Sequence, residues 1–359
     1  MSIRALLLIF LLVIFVSGCA ETKYIFSYGE DGGKELLWPK EHEVARYRYV
    51  GQLVGEQNFT AESAGGFQAG LVNALKWIAG MFSTASGDAP VVLQRPQSGV
   101  TGPDGRVYVT DVSRQAVYVF DPENGKLEVW RDTGTTGGFV SPIGIVVLSN
   151  GQVLVSDAQL AAVIRLDATG KPMGFFAAGI MARPTGLAYD PETDWLYIAD
   201  SGANDIKVFK SDGSFVKIIG RPGVADGEFN GPTHLYYRDQ KLYVTDSLNS
   251  RIQIFDSKGA FLQKFGERGR YVGNLPRPKG VAADSEGNVY VIESYNDHML
   301  VFSANGEFLL PLGGTGHDIG QFYLPAGVWV DDQDRVYIAD MFNGRVMIFQ
   351  YLGNKNDKL

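Results

Sequence analysis

The residues best placed to do chemistry in this 359-residue chain are six acids that recur at one position of a repeated phrase. They close the runs Val107-Tyr-Val-Thr-Asp111, Val153-Leu-Val-Ser-Asp157, Leu196-Tyr-Ile-Ala-Asp200, Leu242-Tyr-Val-Thr-Asp246, Val289-Tyr-Val-Ile-Glu293 and Val336-Tyr-Ile-Ala-Asp340. Six carboxylates in a ring could gather a cation. The same residue type at the same place in every repeat points instead to a structural device, because an Asp side chain accepts hydrogen bonds from the turn that follows it.

Catalysis breaks such symmetry, so the irregular residues carry more functional information. Of the four histidines, His234, His298 and His317 fall in connections or strand edges that a ring of repeats places on one face. Imidazole is the commonest metal ligand near neutral pH, which makes the three weak candidates for a metal site, although no two share a repeat. The same face should carry Arg221, Arg251, Arg268, Arg270 and Arg345, with Tyr271, Tyr295 and Phe342 nearby. Arginine and aromatic residues dominate interface hot spots, so these residues, with His298, form the expected binding face. Arg251 and Arg345 have an equally good structural reading, in which they bridge to the repeat's own acids. Arg268, Arg270 and Tyr271 stand outside the repeated phrase and are better candidates for a specific partner. No phosphate-cradling glycine loop, Ser/His/Asp grouping or paired-acid signature is present. The sequence therefore assigns no catalytic residue and no cofactor.

The elements that must position these residues follow from the repeat. Each segment opens on a proline, at Pro96, Pro142, Pro184, Pro232, Pro278 and Pro325, with spacings of 46, 42, 48, 46 and 47 residues. A short apolar strand follows, then the strand that ends in the acid, then a third strand such as Ile252–Phe255. A glycine turn leads to a fourth, such as Phe261–Phe265. Four strands per repeat, repeated radially, make a propeller blade. The chain's 44 glycines agree with many tight turns, since glycine accepts positive φ without steric cost.

The phrases Gly227-Glu-Phe229-Asn-Gly-Pro232 and Gly320-Gln-Phe322-Tyr-Leu-Pro325 resemble the NHL repeat. So do Asp246-Ser-Leu-Asn249-Ser-Arg251 and Asp340-Met-Phe-Asn343-Gly-Arg345. The resemblance spans about residues 92–352 and is weaker in the first two repeats, where Arg114-Gln-Ala and Leu160-Ala-Ala replace Asn-x-Arg. It implies an all-β fold, a six-bladed propeller over residues 44–352. WD40 and kelch patterns do not fit, because no tryptophan precedes an Asp at the repeat period and the Gly-Gly pairs are not periodic. Among six-bladed relatives, amidating lyases bind zinc through histidines directly after the opening proline. Those positions here hold Gln97, Ile143, Thr185, Thr233, Lys279 and Ala326. Gluconolactonase-like hydrolases use a Glu, Asn and Asp around a divalent ion, and no carboxylate in the opening triplets matches. A metal-dependent lyase or hydrolase in an axial pocket is therefore the alternative, and a non-enzymatic binding or scaffold protein the leading expectation.

The sixth repeat stops after its third strand. Arg46–Gly55 resembles a fourth strand standing alone before the first blade and is expected to pair with the last one, closing the ring without an unpaired edge. Residues 66–82 carry Phe67, Leu71, Leu75, Ile78 and Phe82 at near-helical spacing, which predicts a short amphipathic insertion.

At the N-terminus, twelve apolar residues from Ala5 to Val16 follow a single Arg4. That run is too short to span a bilayer, which needs about 20 residues, and suits the core of a signal peptide. It ends in Val16-Ser17-Gly18-Cys19, which resembles a bacterial lipobox, and Cys19 is the chain's only cysteine. The resemblance implies a signal peptide over 1–18, a lipidated Cys19, a tether over 19–43 and a membrane anchor, with the outer membrane favoured by Ala20. Residues 353–359 would form a tail. One cysteine excludes an internal disulfide, and the net charge of −8 argues against nucleic acid as a partner. The expected partner is a cell-envelope protein, peptide or glycan.

Overall fold

Blades form here because each repeat supplies two consecutive strands apolar enough to be buried on both faces. The second strands, such as Val107–Asp111 and Val289–Glu293, are buried at every residue, as is the third strand Ala116–Asp121. The fourth strands alternate: Phe261–Phe265 has Phe265 inside and Leu262 and Lys264 outside. A sheet packed face to face against two neighbours reads as continuous apolar runs in its middle and as period-two alternation at its rim.

The computed structural model describes residues 24–28, 35–39, 44–61 and 91–353. The leader, Cys19, the helical insertion expected at 66–82 and residues 354–359 lie outside the described residues. Among those described, no helix is long and apolar enough to cross a membrane.

The architecture is all-β, a six-bladed propeller. Five four-stranded antiparallel sheets open at Pro96, Pro142, Pro184, Pro232 and Pro278, each with its strands in sequence order from the axis outward. The sixth sheet begins with Val328–Val330, Arg335–Asp340 and Arg345–Tyr351. Its fourth strand is Tyr47–Leu53 from the N-terminal side, antiparallel to Arg345–Tyr351 with Tyr47 opposite Tyr351 and Leu53 opposite Val346. The ring is therefore closed by the N-terminal strand, as the isolated Arg46–Gly55 phrase predicts.

Two described pieces of the segment expected as a tether belong to the folded body instead. Leu37–Trp38 adds a fifth strand outside Tyr47–Leu53. Tyr24–Phe26 pairs with Phe59–Ala61, and Phe26, Tyr28 and Phe59 pack against the core shared by the sixth and first blades. Aromatic side chains that can reach an apolar core pack there rather than stay in a solvated linker, and these three, partly buried, each contribute part of the about 1.5–3 kcal/mol that full burial would give.

The core is divided rather than central. Six apolar clusters occupy the six blade-to-blade interfaces, such as Ile252, Phe265, Val281 and Phe302 between the fourth and fifth blades. The phenylalanines of the Gly-x-Phe phrase seal them: Phe229 and Phe322 are fully buried. The axis is thus lined by inner strands with their ends at two mouths. The opening prolines, the turns after the acids and the blade-to-blade connections share one face. The turns between first and second strands, and between third and fourth, share the other.

Candidate functional site at the two mouths of the axis

The six acids are structural. Asp111 accepts the backbone N–H groups of Gln94, Arg95, Ser113 and Arg114, at 2.6–3.0 Å. Asp157 does the same for Val140, Ser141, Gln159 and Leu160. Each carboxylate therefore ties the connection entering its own blade to the turn leaving its second strand. All six are buried. Burial works against the charged form of Asp200, but Lys207 and the N–H groups of Ala182 and Arg183 outweigh it and hold its pKa below the ordinary value. In Asp340 burial prevails and its pKa rises. All six are buried and hydrogen-bonded within the fold, so none of them opens toward a ligand.

The structure sorts the expected binding face into interior and surface residues. Arg251 and Arg345 are interior, which corrects their inclusion in that face. Arg251 donates to Asp246 at 2.8 Å and to the carbonyls of Val224, Ala225 and Glu228. Arg345 donates to Asp340 at 2.8 Å and to the carbonyls of Asp318 and Gln321. A guanidinium with five donors suits this task, clamping a connection onto the acid beneath it. Arg221 is at the surface and paired with Glu228 at 2.8 Å. Arg268 and Arg270 are exposed, and Tyr271 and Tyr295 are among the most exposed large side chains, at 83% and 70%.

Phe342 sits in a cluster that sequence reasoning missed. The Arg95 guanidinium lies 4.8 Å from its ring centre, and the ring of Tyr323 meets it edge-on at 5.6 Å. Tyr323 in turn meets His317 at 5.8 Å, and His317 is hydrogen-bonded to Asn343. Arg95 and Phe342 are separated by almost the whole ring in sequence and become neighbours only on closure.

The three histidines do not come together. Among the described residues no group of three His, Cys, Asp or Glu side chains is arranged to hold a metal ion. His298 is half-buried at the start of the fifth blade's third strand, opposite Glu293. His234 lies on the fourth blade's inner strand, its ring nitrogens shut off from solvent and without a hydrogen-bond partner. Burial, and secondarily the charge of Lys279, push its pKa down to about 3, so the ring is neutral at physiological pH.

Along the axis the inner strands pinch and then widen. At the third position of each opening triplet stand Ser98, Gly144, Gly186, His234, Gly280 and Gly327. A Cβ on Gly186 would fall 2.7 Å from the Cα of His234, and one on Gly280 would fall 2.5 Å from the nitrogen of Val328. Neighbouring strands approach this closely only because no side chain intervenes, so the glycines form a collar. Beyond it lies a cavity of about 550 Å³ lined by Ile145, Val147, Leu187, Tyr189, Tyr237 and Trp329 among others. It runs toward the first-to-second-strand turns at Pro103, Ser149 and Pro191, with Asp332 among its lining residues.

Solved structures share this architecture. A virginiamycin B lyase from Staphylococcus aureus is 14% identical, with 72% of this chain and 96% of that one covered and a TM-score of 0.53. An auxiliary nutrient binding protein from Bacteroides thetaiotaomicron is 12% identical over 72% and 69% of the two chains, at a TM-score of 0.55. A gluconolactonase from Xanthomonas campestris is 18% identical over 74% and 90%, at 0.54. These likenesses show the fold, a six-bladed propeller whose neighbours include both enzymes and a nutrient-binding protein. No family model matches the chain, and no curated protein matches it in sequence.

Proposed function

We propose that this chain is an NHL-type binding or scaffold lipoprotein of the cell envelope, with no catalytic role of its own. It presents the face of the opening prolines to a protein, peptide or glycan. The observation that carries this reading is the division of labour on that face. Its repeat acids and its interior arginines are fully committed to the fold. Toward solvent it presents aromatic and cationic side chains, Arg268, Arg270, Tyr271, Tyr295 and the Phe342–Arg95 pair, beside exposed acids of the connections such as Asp132, Glu267 and Asp318. Exposed aromatic and arginine side chains of this kind make interface anchors.

The position of the N-terminal segment agrees. Tyr24 lies against Gly125, in the turn between the first blade's third and fourth strands, on the face opposite the opening prolines. A lipid on Cys19 would be at most about 18 Å of extended chain away from Tyr24. The anchor would hold that face toward the bilayer and leave the aromatic and cationic face outward. The alternative, a metal-dependent lyase or hydrolase, finds no gathered ligand set among the described residues to favour it.

The test is crosslinking in intact cells, followed by affinity purification of the tagged protein and mass spectrometry. It is run beside a variant with Arg268, Arg270 and Tyr271 all changed to Ala. A partner enriched with the native protein and lost with the variant supports the reading. Equal capture by both places recognition elsewhere, and tightly bound metal together with turnover of a small substrate sinks it in favour of the alternative.

A further inference from the structure

Among the described residues, the mouth at the opening prolines is surrounded by cations and by no acid. Three positions of each blade surround it: the residue before the proline, the residue after it, and the residue after the second-strand acid. Hydrogen bonds fix this arrangement. In five blades the residue after the acid donates its backbone N–H to the carbonyl of the residue before the proline, as in Val112 to Arg95, Ser201 to Arg183 and Ser294 to Arg277. No blade places a carboxylate at any of these positions, although the chain as a whole carries a net charge of −8.

The cations there are Arg95, Arg183, Arg277 and Lys279. The three arginines all stand immediately before a proline, in the first, third and fifth blades, and so are spaced around the mouth on three sides. Their backbones are pinned: Arg95, Arg183 and Arg277 donate N–H groups to Asp111, Asp200 and Glu293 at 2.9, 2.7 and 3.0 Å. Their side chains are exposed, and none of the salt bridges among the described residues involves them. Lys279 follows the fifth blade's proline, half-buried at the mouth. Burial, and secondarily the charge of Arg277, lower its pKa, and among the described residues no acid opposes them. A desolvated ammonium beside a guanidinium with no counter-charge is an unfavourable arrangement for a fold to keep by itself. His234, neutral and with both ring nitrogens unpartnered, is the neighbour that Lys279's charge reaches.

We propose that this mouth binds a compact polyanion, a small molecule carrying two or more carboxylates or phosphates on a short skeleton. Guanidinium groups present paired donors that match either anion bidentately, and the lysine supplies a point charge between them. Compactness follows from the collar: at Gly144, Gly186, Gly280 and Gly327 neighbouring backbones close in immediately below the mouth. The ligand rests on the collar and does not thread into the cavity beyond. This site shares a face with the proposed recognition surface but uses none of Arg268, Arg270 and Tyr271.

The test is isothermal titration of the full chain in detergent with citrate and, separately, with pyrophosphate, at fixed ionic strength and with acetate as the monovalent control. Native protein should bind at least one polyanion at least tenfold more tightly than acetate. Which of the two binds tighter distinguishes a carboxylate from a phosphate ligand. Lys279→Gln should weaken binding at least tenfold, and the exposed pair Arg183→Gln with Arg277→Gln, which does not touch the core, should do the same should Lys279→Gln melt early. Lys210→Gln, far out on the third blade, should change nothing. Binding of neither polyanion overturns the proposal. So does binding that the arginine pair leaves unchanged. Neither result bears on the crosslinking experiment, whose variant lies outside this mouth.

Discussion

The two ends of the axis are built from the same six inner strands and could hardly differ more. At the opening prolines the mouth is cationic and backed by a collar of backbone. At the other end the strands diverge into a cavity of about 550 Å³ lined by aliphatic and aromatic side chains together with Thr101, Ser149 and Asp332. The difference comes from side-chain size at successive positions of one strand. Glycine at the third position lets neighbouring backbones meet, and Ile145, Leu187, Leu235 and Val328 at the fourth begin the widening. The repeat thus specifies the ring, and departures from the repeat specify what each mouth can hold.

The comparison can be broken most violently from beneath the cationic face. Asp246→Ala would leave Arg251 buried without its counter-charge, with a loss of about 3–5 kcal/mol expected. Urea unfolding reads this directly, and a loss under about 1 kcal/mol would show that the acids are not what holds the connections down. Next comes the collar that divides the two halves. Gly186→Val should destabilise by about 2–3 kcal/mol through overpacking against His234 and Leu235, seen as a lower melting temperature. A variant that melts like the native protein would mean that the collar has room to spare.

A pH series sharpens the comparison without any change at the surface. His234 has a folded-state pKa of about 3 against an ordinary value near 6.5, so the unfolded chain binds the proton more readily. Stability from this residue is complete above about pH 6.5 and falls as pH drops toward 3, by about 2 kcal/mol at pH 5. Unfolding of the native chain and of His234→Leu at pH 7.5 and pH 5 should differ by that amount in their pH response. Parallel responses would sink the assignment. The smallest effect belongs to the outer rim. Changing Arg268, Arg270 and Tyr271 to Ala should move stability by less than about 0.5 kcal/mol while abolishing partner capture.

The legible and illegible parts of this chain separate along one line. The prolines, the acid-ended strands and the lone phrase at Arg46–Gly55 are local patterns with fixed spacing, and from them the blade number and the closing strand follow. The acids' role was legible too, since a carboxylate repeated before every turn has a local purpose. Arg251 and Arg345 were ambiguous, because whether a guanidinium faces solvent or an acid depends on how a connection folds back over it. The Phe342–Arg95–Tyr323 cluster gave no sequence signal, for its members sit at opposite ends of the chain. Nor did the fold of Tyr24–Phe26 onto Phe59–Ala61, where a segment read as linker finds an apolar surface contributed by two blades.

The sequence by itself determined the blade and the blade number, because those rest on hydrogen bonds and apolar alternation between residues close in the chain, and it signalled the closure, because the lone strand phrase at Arg46–Gly55 supplies the fourth strand that the last repeat lacks. Only the tertiary structure decided which charges are spent. Arg95, Arg183, Arg277 and Lys279 come to one mouth while Arg251 and Arg345 are buried against acids, because the ring brings distant blades to a common axis and burial settles which groups keep their partners.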